Sequence, residues 1–225
     1  ILTSAQHFFF TLGYHQTSVQ MIIDDLGIAK GTFYHHYKSK LEVMQAVSEE
    51  MVSSGVEAVK SYIFESEDDA IKKFNYLLKK LNQWKVEQID AVYTIIKVMY
   101  SDDNLPFREA INHKNVEYYL PILNHIIRQG IEEGSMQTEY ADIIGEMMIR
   151  FSIEVEKTMA FIMLNHEHYQ DPVKEVLTRV NCVTQIFEDA LKVPSGSFSH
   201  QLDVEIKTIF EHISHKNRSV NHVID

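Results

Sequence analysis

The chain has 225 residues, of which 45% are hydrophobic and 24% are charged, and its formal net charge is −11. This composition is that of a globular protein, and the acidic balance argues against a surface that coats nucleic acid or anionic membranes along its whole length. No apolar run approaches the ~20 residues of a membrane span and the one cysteine excludes an internal disulfide, so we expect a cytoplasmic protein without membrane association.

The first 45 residues predict a bundle of short helices. Apolar residues at helical spacing run from Ile1 to a glycine at position 13, and a second short helix begins at a capping box formed by Thr17 and Gln20. After a turn of about three residues, the stretch "KGTFYHHY" predicts a third helix whose inward residues are Phe33 and Tyr37. Two short helices joined by a glycine-containing turn have the layout of a helix-turn-helix.

The rest of the chain is helical in pattern, because only 8 glycines and 4 prolines interrupt its whole length. Pro121 predicts a kink or a junction of two helices, and Asp171 with Pro172 predicts the start of a helix that reaches about residue 192. The stretch "VPSGS" predicts a linker before one more amphipathic helix. We therefore expect an all-α fold with three parts: a three-helix helix-turn-helix domain (1–46), a larger helical domain (47–192), and a linker with an additional C-terminal helix (193–225).

The outward side of the third helix carries side chains that suit DNA recognition. Once Phe33 and Tyr37 face inward, a lysine, a glycine, a threonine, a tyrosine and a histidine remain outside. Lysine neutralises phosphates, hydroxyl groups donate to phosphates or base edges, and glycine permits close approach of the backbone. The same residues also suit a plain solvated helix face, so the spacing alone leaves both interpretations open.

Residues 1–47 resemble the N-terminal domain of TetR-family transcriptional regulators in the pattern "IL.SA..FF...GY..TSV..I..DLGIAKGTFYHHYKSKLEVMQAV". By this resemblance, nine positions are expected to touch DNA or its backbone: Thr17, Ser18, Lys30, Gly31, Thr32, Tyr34, His35, His36 and Lys40. The resemblance further implies a ligand-responsive regulator, a repressor that binds a palindromic double-stranded DNA operator as a homodimer. Helices at about 138–168 and 172–191, which carry broad apolar faces, would form the dimer interface.

The resemblance also implies a small-molecule effector bound between helices of the larger domain. The candidate pocket residues are aromatic side chains and methionines: Trp84, Tyr93, Met99, Tyr100, Phe107, Tyr119, Met147 and Phe151. At helical spacing such residues are more often ordinary core. The sequence contains no glycine-rich phosphate loop, nucleophile elbow or HExxH motif, so it predicts neither an enzyme nor a resident cofactor or metal. The His212 and His215 pair is three residues apart, but no ligand partner accompanies it.

The predicted helix-turn-helix domain has no net charge, because three lysines are balanced by three acidic residues within positions 1–45. Weak and strongly salt-dependent non-specific DNA affinity is therefore expected, unless a preceding basic arm adds charge. We expect such a segment because the chain opens on Ile1, already inside a helical pattern. The alternative function is a helical protein–protein interaction module whose helix-turn-helix is only structural.

Overall fold

The computed structural model describes residues 1–87, 89–198 and 206–211, without the side chains at 82, 84–87 and 89–92. Its described residues form helices and no strand, which confirms the all-α prediction. The helices are α1 (Leu2–Thr11), α2 (Val19–Leu26), α3 (Lys30–His36), α4 (Lys40–Glu65), α5 (Ala70–Glu87), α6 (Ile89–Met99), α7 (Leu105–Glu132), α8 (Ala141–Leu164) and α9 (Pro172–Leu191). Single 3-10 turns lie at Asp102–Asn104 and His166–His168.

Two compact units divide the chain. The first, called the head here, comprises Ile1–Ala58 and Thr94–Tyr118, and the second, called the body, comprises Val59–Tyr93 and the chain from Tyr119 onwards. The head therefore contains residues from the end of α6 and the start of α7 in addition to the helix-turn-helix. The domain boundaries at residues 46 and 192 stay a prediction, since units defined by contacts need not coincide with functional domains.

The short helices of the head share one hydrophobic core. Phe9, Phe33 and Phe107 are each fully buried in it, together with Ala5, Ile22, Ile23, Val43, Met44 and Val47. The ring of Phe107 lies 5.1 Å from that of Phe9 and 5.8 Å from that of Phe10, measured between centroids. Because helices of seven to ten residues are marginal in isolation, this shared core is what stabilises them.

Helix boundaries in the head follow the glycines. Gly13 after α1 and Gly27 after α2 adopt left-handed backbone conformations, with φ of +93° and +61°. The predicted capping box at Thr17 is wrong by one residue, because Ser18 is the N-cap of α2 and its hydroxyl accepts from the amide of Met21 at 3.1 Å. At the start of α4, the Ser39 hydroxyl accepts from the Glu42 amide at 3.2 Å, and the Glu42 carboxylate accepts from the Lys38 amide at 2.6 Å.

In the body, α8 and α9 pack against each other. The predicted start of α9 is confirmed, since Asp171 accepts from the Lys174 amide at 2.9 Å and Pro172 occupies the first turn. Helix α8 begins at Ala141 with Tyr140 as its N-cap, close to the predicted start at about residue 138. Helix α7 continues through Pro121, so the predicted junction of two helices is wrong.

The segment that follows α9 is anchored to the body. The carboxylate of buried Glu188 accepts from the amides of Gly196 at 3.0 Å and Phe198 at 2.8 Å, and the Phe198 ring lies 4.1 Å from that of Phe74. Residues 206–211 are helical, with Ile206, Ile209 and Phe210 buried. The predicted linker is thus held in place by hydrogen bonds and packing.

Candidate nucleic-acid interface

Helix α3 is fixed by an inward residue and by the turn before it. Gly27 donates its amide to the carbonyls of Asp24 and Ile23, which ends α2, and Ala29 then begins α3 without a side-chain cap. Phe33 is fully buried, as predicted. Tyr37 packs against the core from an extended position just beyond the helix, with φ of −137°. One aromatic anchor inside the helix and one after it therefore fix which face turns outward.

The outward face of α3 carries the predicted set of side chains, all of them exposed: Lys30, Gly31, Thr32, Tyr34, His35 and His36. The Lys30 ammonium lies 5.9 Å from the centroid of the Tyr34 ring. A Cβ placed on Gly31 would meet no atom within 4 Å, so packing inside the chain does not require a glycine there. This face presents a cation, hydroxyl groups, imidazoles and bare backbone, which together can contact phosphates and base edges.

The start of α2 offers a second group for a phosphate contact. Ser18 is exposed, and the first amides of α2 have no partner within the helix, although that of Met21 donates to the Ser18 hydroxyl. Thr17 differs, because it is only 1% exposed and its hydroxyl donates to the carbonyl of Gly13 at 2.8 Å. The structure therefore places the Ser18 side chain outward and gives the Thr17 side chain an internal role.

Lys40 also has an internal role. Its ammonium donates to the carbonyls of Tyr14 and Thr17, both at 2.7 Å, and to that of His15 at 3.4 Å. It also lies 4.3 Å from the centroid of the Tyr14 ring, and burial lowers the pKa of Lys40. Since an ammonium has three donors, these three carbonyls occupy all of them. Lys40 thus joins the start of α4 to the turn between α1 and α2.

Two of the three acidic residues that make positions 1–45 neutral lie on α2. Asp25 accepts from the buried hydroxyl of Ser4 at 2.6 Å, which ties α2 to α1, while Asp24 accepts from Gln20 at 2.7 Å on its own helix. Asp25 therefore links α1 and α2, while Asp24 stays within α2. Two of the carboxylates that balance the lysines of positions 1–45 thus make contacts within the fold.

Sequence reasoning missed Asn104, which comes from the 3-10 turn before α7. Its side-chain amide is fully buried in the head and makes hydrogen bonds to α1 and to the α1–α2 turn. Its local sequence, "YSDDN", reads as an ordinary polar helix end. The partners lie about ninety positions away, so no local pattern could have indicated them.

The predicted effector residues are distributed over both units. Phe107 belongs to the core of the head and Met99 packs against it, while the Tyr100 ring lies 5.1 Å from the Arg108 guanidinium, also in the head. Met147 and Phe151 lie exposed on α8, at 36% and 48%. The effector pocket therefore stays a prediction, and aromatic residues and methionines at helical spacing also occur in cores and on contact faces.

The other three predicted effector residues, Trp84, Tyr93 and Tyr119, lie in the body. Tyr119 is partly buried, and burial together with nearby Glu156 raises the pKa of Tyr119 to about 12. Tyr93 is partly buried on α6, and the side chain of Trp84 lies outside the described residues. The body also has an open groove of about 660 Å³ along α7, lined by Leu120, Pro121, Asn124, His125, Arg128, Gln129 and Glu132. None of the predicted residues lines this groove.

Two further features bear on function. Among the described residues, no three histidine, cysteine or acidic side chains are grouped so that they could hold a metal ion, and His212 and His215 lie outside those residues. No helix in the described part of the chain is long and apolar enough to cross a membrane.

Comparison with known proteins finds a family match in the head. Residues 1–47 match the family model described as bacterial regulatory proteins, tetR family. The fatty acid metabolism regulator protein of Bacillus subtilis (strain 168) is 26% identical over 157 residues, which cover 70% of this chain and 78% of that protein. The resemblance inferred from the helix-turn-helix pattern is thereby confirmed.

Solved structures share the fold. The transcriptional regulator FadR from Bacillus subtilis, in complex with stearoyl-CoA, has a TM-score of 0.59 at 22% identity and covers 84% of this chain and 96% of its own. The fatty acid degradation regulator FadR from Bacillus halodurans has a TM-score of 0.58 at 19% identity, over 84% of this chain and 92% of its own. These structures show a shared fold. The matched family and the 26% identical relative are regulators, in agreement with the prediction of a transcriptional regulator rather than an enzyme.

Proposed function

We propose that this chain is a cytoplasmic repressor of the tetR family that binds a palindromic DNA operator as a homodimer, since residues 1–47 match that family's model. The observation that carries the proposal is the outward face of α3. Its lysine, hydroxyl and imidazole side chains are exposed, while Phe33 fixes the helix from the inside. A helix of this kind reads base edges when it lies in the major groove.

The proposed DNA contacts are the residues that the head presents outward: Ser18, Lys30, Gly31, Thr32, Tyr34, His35 and His36. Ser18 and the first amides of α2 would hold a phosphate, and Lys30 would neutralise another. Thr17 and Lys40, which the family resemblance adds to this set, are assigned to the internal structure of the head because their polar groups are already paired.

Homodimerisation is supported by exposed apolar side chains on α8. Tyr140, Ile143, Met147 and Phe151 follow one another at intervals of three or four residues, and their exposed fractions lie between 36% and 64%. On the same helix Phe161 is 59% exposed, and on α9 Ile186 is 45% exposed. Single exposed apolar residues are normal, but a continuous row marks a contact surface. Two copies joined there would present two α3 helices to an inverted repeat.

The effector is proposed to be a small molecule that binds the body and changes the affinity for DNA. The relative with 26% identity is named for fatty acid metabolism, and a FadR structure of the same fold holds stearoyl-CoA. A long-chain acyl-CoA is therefore the first effector class to test. If the effector binds more tightly to a conformation that does not bind DNA than to the conformation that does, it will lower the fraction of the protein that can bind DNA.

DNA binding is tested by selection from a pool of random duplexes with the full chain. We expect enrichment of an inverted repeat whose half-site centres lie about 10 base pairs or a multiple apart. On that duplex, Lys30→Met should lower the slope of log affinity against log salt by about 0.9, the contribution of one phosphate contact. Lys79→Met, which removes an exposed lysine of α5, is the matched control and should leave the slope unchanged.

Absence of any enriched sequence, or equal effects of the two lysine variants, would contradict the DNA-binding proposal and favour the interaction module. The effector proposal is tested on the selected duplex with stearoyl-CoA, stearate and CoA as separate additions. Release of the duplex by stearoyl-CoA alone supports the acyl-CoA class, and an unchanged affinity with all three compounds excludes it.

A further inference from the structure

The turn between α1 and α2, residues 13–17, is held by a segment from far along the chain. The side-chain amide of Asn104 donates to the carbonyl of Phe9 at 2.7 Å, and its oxygen accepts from the amide of Tyr14 at 2.8 Å. Both ends of this short polar side chain are therefore used, and Asn104 is fully buried. A single residue thus bridges the last turn of α1 and the first residues that follow it.

These bonds satisfy a group that α1 itself leaves free. The carbonyls of the last helical turn have no partner within a helix, and the amide of Gly13 goes to Phe8 at 3.2 Å. The Phe9 carbonyl instead receives the Asn104 amide. An unpaired buried polar group is costly, so the Phe9 carbonyl depends on the Asn104 amide for its partner.

Asp103 adds two further bonds to the same turn. Its backbone carbonyl accepts from the His15 amide at 3.0 Å, and its carboxylate accepts from the Gln16 side chain at 3.3 Å. Gly13 lies close enough that a Cβ there would meet the Asp103 Cβ at 3.1 Å. Phe107, one turn of helix further along, is anchored in the core of the head. The Asp103–Asn104 segment is therefore fitted to residues 13–16.

Lys40 is the second support of this turn, because its ammonium donates to the carbonyls of Tyr14 and Thr17. The next residue, Ser18, begins α2 and carries a proposed phosphate contact. Any shift of residues 13–17 would therefore move the start of α2, and with it the helix that leads into α3. Sites that must match a rigid partner lose affinity when their supporting residues are loosened.

From this geometry we propose that Asn104, assisted by Asp103, is a positioning residue for DNA binding: it sets the α1–α2 turn, and so the start of α2, from outside the helix-turn-helix. This inference rests on the proposed DNA-binding function. The unit that reads DNA then comprises the helix-turn-helix and residues 101–107 together. Residues 1–47 alone would lack one of the two supports of the turn.

The test compares Asn104→Ala and Gly13→Ala in the full chain on the selected duplex. Asn104→Ala removes the bridge, whereas Gly13→Ala keeps Asn104 and presses a methyl group against Asp103. Gly134→Ala is the matched control, because Gly134 also has a positive φ, of +74°, but a Cβ there would meet no atom within 4 Å. All affinities are measured at a temperature at which circular dichroism shows each variant to be folded.

We expect Asn104→Ala and Gly13→Ala to lose affinity by about ten-fold or more, while Gly134→Ala stays within about two-fold of the wild type. In the free variants, the amide of Tyr14 and the amides of α2 should exchange with solvent faster, and those of α8 should not change. If Asn104→Ala does not fold, Gly13→Ala carries the same comparison.

Faster exchange at Tyr14 with unchanged affinity would overturn the positioning role and leave the DNA-binding function intact. Equal loss of affinity in Gly13→Ala and Gly134→Ala would also overturn it, since strain alone would then explain the effect. If the wild-type chain enriches no duplex, the DNA-binding function fails, and the role of Asn104 fails with it.

Discussion

Replacing Lys40 by methionine separates two roles that a lysine at the start of α4 could have. Methionine keeps the length and apolar stem of the side chain but removes the ammonium. In the structure this ammonium donates to the carbonyls of Tyr14 and Thr17, both at 2.7 Å, and lies 4.3 Å from the Tyr14 ring. The substitution therefore breaks the link between α4 and the α1–α2 turn.

The size of the effect follows from those contacts. Hydrogen bonds from a charged donor contribute about 1.5–3 kcal/mol each, and a partly exposed cation–π contact about 0.5–1 kcal/mol. Water can reach part of the site, because Lys40 is only half-buried, so the sum has to be reduced. We expect Lys40→Met to lower the free energy of unfolding by about 2–4 kcal/mol.

The assay pairs urea unfolding with the salt dependence of DNA affinity. Lys40→Met should lose stability while the slope of log affinity against log salt is kept, since this lysine is occupied within the head. Lys30→Met is the reciprocal control: stability should change by less than about 0.5 kcal/mol and the slope should fall by about 0.9. The internal role of Lys40 is refuted if Lys40→Met keeps wild-type stability and lowers the salt slope by about 0.9, the contribution of one phosphate contact.

Three other substitutions test separate parts of the account. Gly31→Ala should raise the free energy of unfolding by about 0.5–1 kcal/mol in urea titrations, because alanine favours the helix and a Cβ there meets no atom within 4 Å. The same substitution should weaken DNA binding, and tighter binding would contradict the role of the bare backbone at Gly31. Phe151→Glu should shift the dimer to monomer in sedimentation velocity, whereas Leu81→Glu, which also replaces an exposed apolar residue, should not. If both variants remain dimers, α8 is excluded as the interface. Burial and the nearby Lys73 cation lower the pKa of His125, so the unfolded chain binds the proton more readily than the folded protein does. The free energy of unfolding should therefore fall as the pH drops from about 7 to 5. His125→Gln should flatten this pH dependence in urea titrations, and an unchanged dependence would refute the role of His125.

The local parts of the fold could be predicted from the sequence. Gly27 and the apolar stripe before it place the end of α2, and Asp171 with Pro172 places the start of α9, because each signal acts within a few residues. The exposed face of α3 could be predicted for the same reason, because the inward position of Phe33 determines which neighbouring residues of this short helix face outward. Local chemistry therefore located the exposed face of α3, and the family resemblance supplied its predicted function.

Long-range contacts could not be predicted in this way. Phe107 was expected in an effector pocket but packs between Phe9 and Phe10, and nothing in its neighbourhood distinguishes a core aromatic residue from a pocket one. The ammonium of Lys40 turned out to serve internal carbonyls, which only the position of the α1–α2 turn explains. Predictions that depend on which distant element supplies the partner require the structure.

DNA contact by α3 is tested most directly by hydrogen–deuterium exchange of the full chain with and without the selected duplex. We expect the duplex to slow exchange at the start of α2, residues 18–22, and along α3, residues 30–36. Helix α8 should show no protection from the duplex in the same experiment. Protection that is confined to other helices, while α3 exchanges as in the free protein, would contradict the claim that α3 reads DNA.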